Sequence, residues 1–430
     1  EVKISISGIR GVYGKDFLPK DVIKFCDGFS NLIKNGKCVI ARDTRPSGIM
    51  IANIVSATLL ERGIDVYDLG MTPTPIAFTE SKKIGAGIVI TSSHNPLEWN
   101  GLKFILDGRG ITEKELEIVE NRKNLARPNI GKEIFLESDY ISDAVKIIGK
   151  LTHTQHVTVD IGGGAAKEIA PKLLQEIGCQ VDTINDELDK CSRGPDPTSD
   201  KLTELINKTK NIGFAFDLDS DRVILVMNGE KKSSDITLGL GVVKAIKLGI
   251  KKFVLSIDSS LAVEKYIINH GGKVWRSKVG EANVIQMMIK NNAEAGGEGS
   301  SGGFILREFN MCRDGLLTSG LIASMIDDES IQKDIEFFES FSQTRNKVAI
   351  ESILHDKVIN EMAKKVRTEY EIDQLDGIKI NINDNTWSLI RKSNTEDIIR
   401  VSTESNDKQL LAKIQNEMIR KVECCYEEIK

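Results

Sequence analysis

The sequence predicts an α/β protein: three similar α/β domains in tandem, followed by a smaller C-terminal α+β domain. Three observations lead there. One pattern recurs three times: an apolar strand ending in Asp, a helix, a glycine, a second strand, then a third strand entering a polar loop. The residues after 347 break that pattern. And 430 residues are too many for a single core.

In the first unit the strand is Val39-Ile40-Ala41-Arg42-Asp43. A helix runs to Arg62, Gly63 closes it, and a strand follows at 66–69. In the second, Val157-Thr158-Val159-Asp160 leads to a helix through Leu173-Leu174, then Gly178 and Val181. In the third, 254–258 leads to a helix through Tyr266-Ile267-Ile268, then Gly271 and Val274. The glycines fit the left-handed position just after a helix. The third strands, at 88–90, 214–216 and 294–295, run into loops 91–96, 217–222 and 296–303. The last stretch reads as a helix over 357–371, strands near 378–382, 387–391 and 398–401, and a helix over 409–426. The domains expected are 1–147, 148–248, 249–347 and 348–430.

The composition is that of a globular protein, 40% hydrophobic and 28% charged. A net charge of −5 argues against a nucleic-acid partner. No apolar run reaches transmembrane length and no secretory segment is evident, so no membrane partner is expected. Seven cysteines without a CxxC pair read as reduced thiols of a cytoplasmic protein.

Four loops carry the chemistry. Thr91-Ser92-Ser93-His94-Asn95-Pro96 places Ser93 where a buried strand becomes a turn. A Ser-His-Asp hydrolase would need a distant histidine, because His94 is a chain neighbour; only five histidines exist and GxSxG is absent. A phosphoryl-carrying serine needs instead a metal, cations and a proton-transfer group. Arg10 and Lys103 can supply the last two. Asp217-Leu218-Asp219-Ser220-Asp221-Arg222 sets three carboxylates at alternating positions, a donor set for a hard cation such as Mg²⁺. The EF-hand reading fails, since Arg222 and Asn228 stand where Gly and Glu are required. A phosphatase with Asp217 as nucleophile stays open.

The third loop, 296–303, is glycine-rich without a phosphate-binding signature. Its Glu298 suits vicinal sugar hydroxyls, and its glycines allow close backbone approach. The fourth, Arg391-Lys392-Ser393-Asn394-Thr395-Glu396 with Arg400 nearby, offers guanidiniums, hydroxyls and an amide to a phosphate dianion.

Together and in this order, these loops resemble the α-D-phosphohexomutase family of phosphomannomutases, phosphoglucomutases and phosphoglucosamine mutases. The likeness covers essentially the whole chain. Gly8–Gly11, Arg42-Asp43-Thr44-Arg45 and Thr72-Pro73-Thr74-Pro75 fit it too. It implies four domains with mixed sheets around a central cleft. It implies Ser93 as the phosphoserine, which with Asp217, Asp219 and Asp221 holds Mg²⁺. His94, Lys103, Arg10 and Arg222 would stand around the transferring phosphoryl group. Glu298, Ser300 and Ser301 would hold sugar hydroxyls, with Lys278 in a second specificity loop. Arg391, Ser393, Asn394, Thr395 and Arg400 would hold the other phosphate. The implied activity moves phosphate between C6 and C1 of a hexose or hexosamine through a hexose 1,6-bisphosphate. Gly296–Gly303 and Cys312-Arg313-Asp314-Gly315 point to the archaeal-type phosphoglucosamine mutase branch. The partner is then a small sugar phosphate, with room for a homodimer.

The chain departs from the family at Lys392, Asn394 and Asp397, and at Gly303, where many relatives carry a histidine. The second acid/base is therefore left unassigned. Phosphomannomutase or phosphoglucomutase activity is the runner-up, and a sugar-phosphate phosphatase or a silent sensor are the remaining alternatives.

Overall fold

The computed structural model describes residues 2–121, 129–393 and 396–430. The three N-terminal sheets share one order: second strand, first, third, then an antiparallel fourth. In the first sheet these are Asp65–Met71, Lys37–Arg42, Ala86–Ile90 and Trp99–Leu106. In the second they are Cys179–Ile184, Gln155–Asp160, Ile212–Phe216 and Val223–Met227. In the third they are Lys273–Ser277, Lys252–Ser256, Ala295–Glu298 and Gly303–Leu306. The first sheet is extended at its edges by Gly8–Val12, Lys3–Ser5 and Glu133–Phe135.

The sequence forms these sheets for a plain reason. Parallel strands are covered on both faces, so they read as unbroken apolar runs. Ile88, Val89 and Ile90 are buried, as are Val157 and Val159, Phe214 and Phe216, and Phe253, Val254 and Leu255. Helices Gly48–Glu61, Ile169–Glu176 and Leu261–Asn269 each close within two residues at a left-handed glycine. These are Gly63 at φ 71°, Gly178 at φ 110° and Gly271 at φ 74°.

The shared order has a consequence for function. Each polar loop joins a third, parallel strand to an antiparallel fourth. All three loops therefore leave their sheets at the carboxyl ends of the parallel strands, where open α/β sheets bind ligands.

The fourth sheet is wholly antiparallel: Ser342–Ala349, Ile398–Ser405, Thr386–Lys392, Ile378–Asn383 and Glu371–Asp373. Helices His355–Val366 and Lys408–Ile429 cover one face around Val358, Met362, Ile390, Val401 and Met418. The other face docks on the third domain, where Trp387 and Leu389 pack with Ile257. Lys379 Nζ donates to the Ile257 carbonyl at 3.1 Å, and Glu404 Oε1 accepts from Leu261 N at 2.6 Å.

The boundaries expected near 147, 248 and 347 each fall at the end of an element that packs forward. Helix Tyr140–Ile148 packs on helix Ile169–Glu176 of the second domain. Helix Ser234–Lys247 packs on strand Gly303–Leu306 of the third. Strand Ser342–Ala349 pairs with Ile398–Ser405 of the fourth. The strand grammar does not say on which sheet a lead-in element settles. Among the described residues, no helix is long and apolar enough to cross a membrane.

Candidate active site

Ser93 is buried and sits in the left-handed region at φ 49°, costly for a residue with a Cβ. A polar brace holds it there. Ser93 N donates to Thr91 Oγ1 at 2.8 Å, and Thr91 Oγ1 donates to Asp43 Oδ2 at 2.6 Å. Arg45, buried beneath the loop, spends its whole guanidinium on the brace. Nε donates to Asp43 Oδ2, Nη1 to the Pro96 and Trp99 carbonyls, and Nη2 to the Ser93 and Asn95 carbonyls.

The brace aims Ser93 Oγ across the domain boundary. It donates to Asp217 Oδ2 at 2.9 Å. Asp217, Asp219 and Asp221 are fully buried, and one carboxylate oxygen from each lies within 4.8 Å of the others. Their remaining oxygens are largely spoken for. Asp219 Oδ2 accepts from Thr74 Oγ1 at 2.7 Å, and Asp221 Oδ2 from Arg313 Nη2 at 2.7 Å. Asp219 Oδ1 and Asp221 Oδ1 are buried with no partner. Burial, then mutual repulsion, pushes Asp217 well above the usual carboxylate range and raises Asp219 as well. Two orphaned oxygens among crowded carboxylates fit a hard divalent cation, which would relieve both costs.

Around Ser93 stand the expected basic side chains. His94 Nδ1 lies 3.4 Å from Ser93 Oγ, and its Nε2 lies 3.4 Å from Arg222 Nη2. Burial, then the Arg222 charge, lowers His94 to about 3, so the ring is neutral near pH 7. With Nε2 facing a guanidinium, the proton belongs on Nδ1, pointing at Ser93. Lys103 Nζ sits 3.3 Å from Glu281 Oε1 and 3.6 Å from Asp221 Oδ2. Burial works to lower its pKa, but those carboxylates outweigh it and hold the ammonium above its ordinary value. Arg10 donates to the Ser7 carbonyl at 3.1 Å.

Ser93, His94, Arg10, Lys103, Arg222, Glu298, Ser300 and Ser301 line one cavity of about 220 Å³. Glu298 is buried, accepts from Gly280 N at 2.6 Å and lies 3.4 Å from Arg313 Nη1. Ser301 Oγ donates to the Glu298 carbonyl at 3.4 Å.

The structure does not bring every expected residue to this cavity. Lys278 is exposed and outside it; its neighbours Val279 and Gly280 line the wall instead. No described residue of the fourth domain lines it. Arg391 Nε donates to Asp376 Oδ2 at 2.9 Å, and Arg400 is exposed and paired with Glu396. Ser393 is buried, its Oγ accepting from Glu396 N. Asn394 and Thr395 lie outside the described residues. The fourth sheet docks on the third domain through Trp387, Leu389 and Ile257, and Arg391 is held there by Asp376.

Sequence reasoning gave no role to Arg45, Glu281, Arg313 or Asp196. Asp196 Oδ1 lies 3.4 Å from Arg222 Nη1 and is held by Thr198. Arg45 lay in a stretch already noted at a strand end, but nothing local shows which carbonyls a guanidinium will reach.

The chain matches the phosphoglucomutase/phosphomannomutase models for alpha/beta/alpha domain I over residues 2–128, domain II over 138–230 and domain III over 235–341. The C-terminal domain model matches 347–421. A protein of Methanosphaera stadtmanae named "Probable phosphoglucosamine mutase" is 33% identical, over 97% of this chain and 98% of that protein. The chain belongs to the phosphoglucomutase/phosphomannomutase family. A Pyrococcus abyssi protein of the same name is 34% identical, over 94% of each chain. The fold matches a Burkholderia thailandensis phosphoglucomutase/phosphomannomutase family protein at TM-score 0.84, with 24% identity over 98% of each chain. Membership makes this chain a phosphosugar mutase, an isomerase that works by phosphoryl transfer.

Proposed function

We propose that the chain is a phosphoglucosamine mutase that interconverts glucosamine 6-phosphate and glucosamine 1-phosphate, with Ser93 carrying the phosphoryl group. The observation that supports this best is Ser93 Oγ, held 2.9 Å from Asp217 in the cavity that also gathers Lys103, Arg222 and Glu298. The names of the relatives support the amino sugar. Seven unpaired cysteines fit a cytoplasmic setting.

In the first half-reaction, the bond between phosphorus and Ser93 Oγ breaks as a bond to the free sugar hydroxyl forms. The hydroxyl proton passes to an oxygen of the transferring phosphoryl group, Ser93 Oγ takes up a proton as it is released, and the product is a hexose 1,6-bisphosphate. After the intermediate turns over, its other phosphate passes to Ser93 and the sugar oxygen takes up a proton. The phosphoserine is thus regenerated. Asp217, Asp219 and Asp221 would hold Mg²⁺, which would withdraw charge from the phosphoryl group. Arg222 and Arg10 stabilise the equatorial oxygens. His94 donates from Nδ1 toward the serine oxygen as it is released. Lys103, held as an ammonium, serves as the proton donor to a leaving sugar oxygen. Glu298 accepts hydrogen bonds from vicinal hydroxyls, and Arg391 with Ser393 takes the far phosphate once the fourth domain closes.

The test is a ³¹P NMR time course with Mg²⁺ and a trace of hexose 1,6-bisphosphate. Glucosamine, mannose and glucose 6-phosphates are offered separately. Fastest 1-phosphate formation from glucosamine 6-phosphate is expected. Faster mannose or glucose turnover would reassign the substrate, and release of inorganic phosphate alone would replace the mutase by a phosphatase.

A further inference from the structure

We propose that Arg313 is a positioning residue that clamps the sugar-hydroxyl acceptor Glu298 to the metal ligand Asp221, so that sugar side and metal loop are set as one unit. The inference rests on the roles given to Glu298 and the Asp triplet above. Arg313 divides its fork between domains. Nη1 lies 3.4 Å from Glu298 Oε2, and Nη2 lies 2.7 Å from Asp221 Oδ2. Nε and the backbone N both reach Glu281 Oε2, at 3.2 and 2.9 Å. Glu281 Oε1 in turn lies 3.3 Å from Lys103 Nζ. Three carboxylates on one buried guanidinium hold it charged, against a burial that works the other way.

The path of the side chain is cut for it. A Cβ at Gly303 would fall 2.3 Å from Arg313 Cδ and 2.5 Å from Cγ, so only glycine there lets the arginine lie across the strand. The chain just after Arg313 is pinned. Gly315 N donates to the Ser220 carbonyl at 3.2 Å, inside the metal loop. Asp314 accepts from Leu317 N at 2.9 Å and from Tyr140 Oη at 2.7 Å. The fork is therefore pre-oriented before any ligand arrives.

What the clamp does at Asp221 follows from its two oxygens. Arg313 takes Oδ2, with Lys103 at 3.6 Å from the same atom. Oδ1 stays without a partner. The arginine thus occupies one oxygen and leaves Oδ1 as the unpartnered donor of a carboxylate that clusters with Asp217 and Asp219. On the other side it turns Glu298, leaving Oε1 to the Gly280 N–H. A displacement of Glu298 is carried to Asp221 through a single rigid group.

The sign of one measurement separates this role from simple charge. Removing a cation 2.7 Å from a metal ligand should tighten cation binding by Coulomb's law. Losing a positioning group should weaken it. The probe is Mn²⁺ alone, counted by electron paramagnetic resonance with no sugar present. Arg313→Gln is expected to weaken Mn²⁺ binding roughly tenfold or more. Equal or tighter binding overturns the proposal. Arg313→Lys keeps the charge but not the fork and is expected to weaken binding about threefold; unchanged affinity also overturns it. The clamp itself is read by a double-mutant cycle. Glu298→Gln should shift Mn²⁺ affinity by about threefold or more in the native background, and not in Arg313→Gln. Equal shifts in both backgrounds overturn the coupling. If Arg313→Gln loses its native circular dichroism, the Arg313→Lys background carries the cycle. Because no sugar is present, these outcomes stand apart from the substrate assignment, which the NMR series decides.

Discussion

Replacing Arg45 by Met should disable Ser93 by releasing the loop that carries it. Arg45 and Asp43 are fully buried as a pair at 3.1 Å. Breaking such a pair by removing one partner costs about 3–5 kcal/mol, because the other charge is left in a low-dielectric site. Four carbonyls, of Ser93, Asn95, Pro96 and Trp99, lose their donors at the same time. Against this, holding Ser93 in the left-handed region costs only ~1–2 kcal/mol. Once the brace is gone, both terms favour a relaxed loop, and Ser93 Oγ leaves Asp217. A misplacement of about 1 Å at a reacting group is worth roughly 10²-fold in rate. The assay is single-turnover loading of Ser93 from hexose 1,6-bisphosphate, quenched and read as phosphoserine by mass spectrometry. Loading should fall about 100-fold. Lysine has three N–H groups for five positions and should recover only part of the rate. Loading within threefold of the native rate, in a folded Arg45→Met protein, would refute the brace.

Ser93→Ala should bind sugar phosphate at near-native affinity and lose turnover by at least ~10⁴-fold; calorimetry and the NMR assay check the two halves, and residual turnover near native would remove the phosphoserine. Arg391→Ala should raise KM more than it lowers kcat, because the residue acts on the phosphate that does not react; a fall confined to kcat would displace it from that role. Glu404→Gln tests the joint between the third and fourth domains. Burial, then Asp235, raises Glu404 from 4.5 to about 7. A raised carboxyl stabilises fully below its unfolded value, and that contribution is lost as pH climbs through about 7. The ionised form therefore costs up to about 3 kcal/mol at pH 8. Glutamine keeps an acceptor for Leu261 N and Trp387 Nε1. It should raise Tm at pH 8 and leave it unchanged at pH 4; equal shifts at both values would show that the charge is not what strains the joint.

What the sequence made legible follows from how local each signal is. The repeated Asp-ended strands, the closing glycines at 63, 178 and 271, and the apolar third strands are short-range patterns. The three sheets accordingly have one order. The Asp triplet is equally local: alternation along one loop brings three carboxylates together, though Thr74 and Arg313 then set the orientation of two of them. Ser93 could be placed at a strand end, but its left-handed backbone depends on Arg45, 48 residues away. Glu281 and Arg313 were silent for the same reason. Each is an ordinary charged residue until domains pack, and then they tie Lys103 of the first domain, Asp221 of the second and Glu298 of the third into one ionic chain. Lys278 shows the converse: it was expected to face the sugar, but whether the side chain faces the cavity depends on a turn that Val279 and Gly280 make against Asp376 and Glu298. Asp376 Oδ2 accepts from both Val279 N and Arg391 Nε, at 2.9 Å each. One carboxylate oxygen of the fourth domain thus joins the cleft wall to Arg391. Val279 N keeps that acceptor only while Asp376 stays in place, so a shift of the fourth domain that moves Asp376 also frees the cleft wall at Val279.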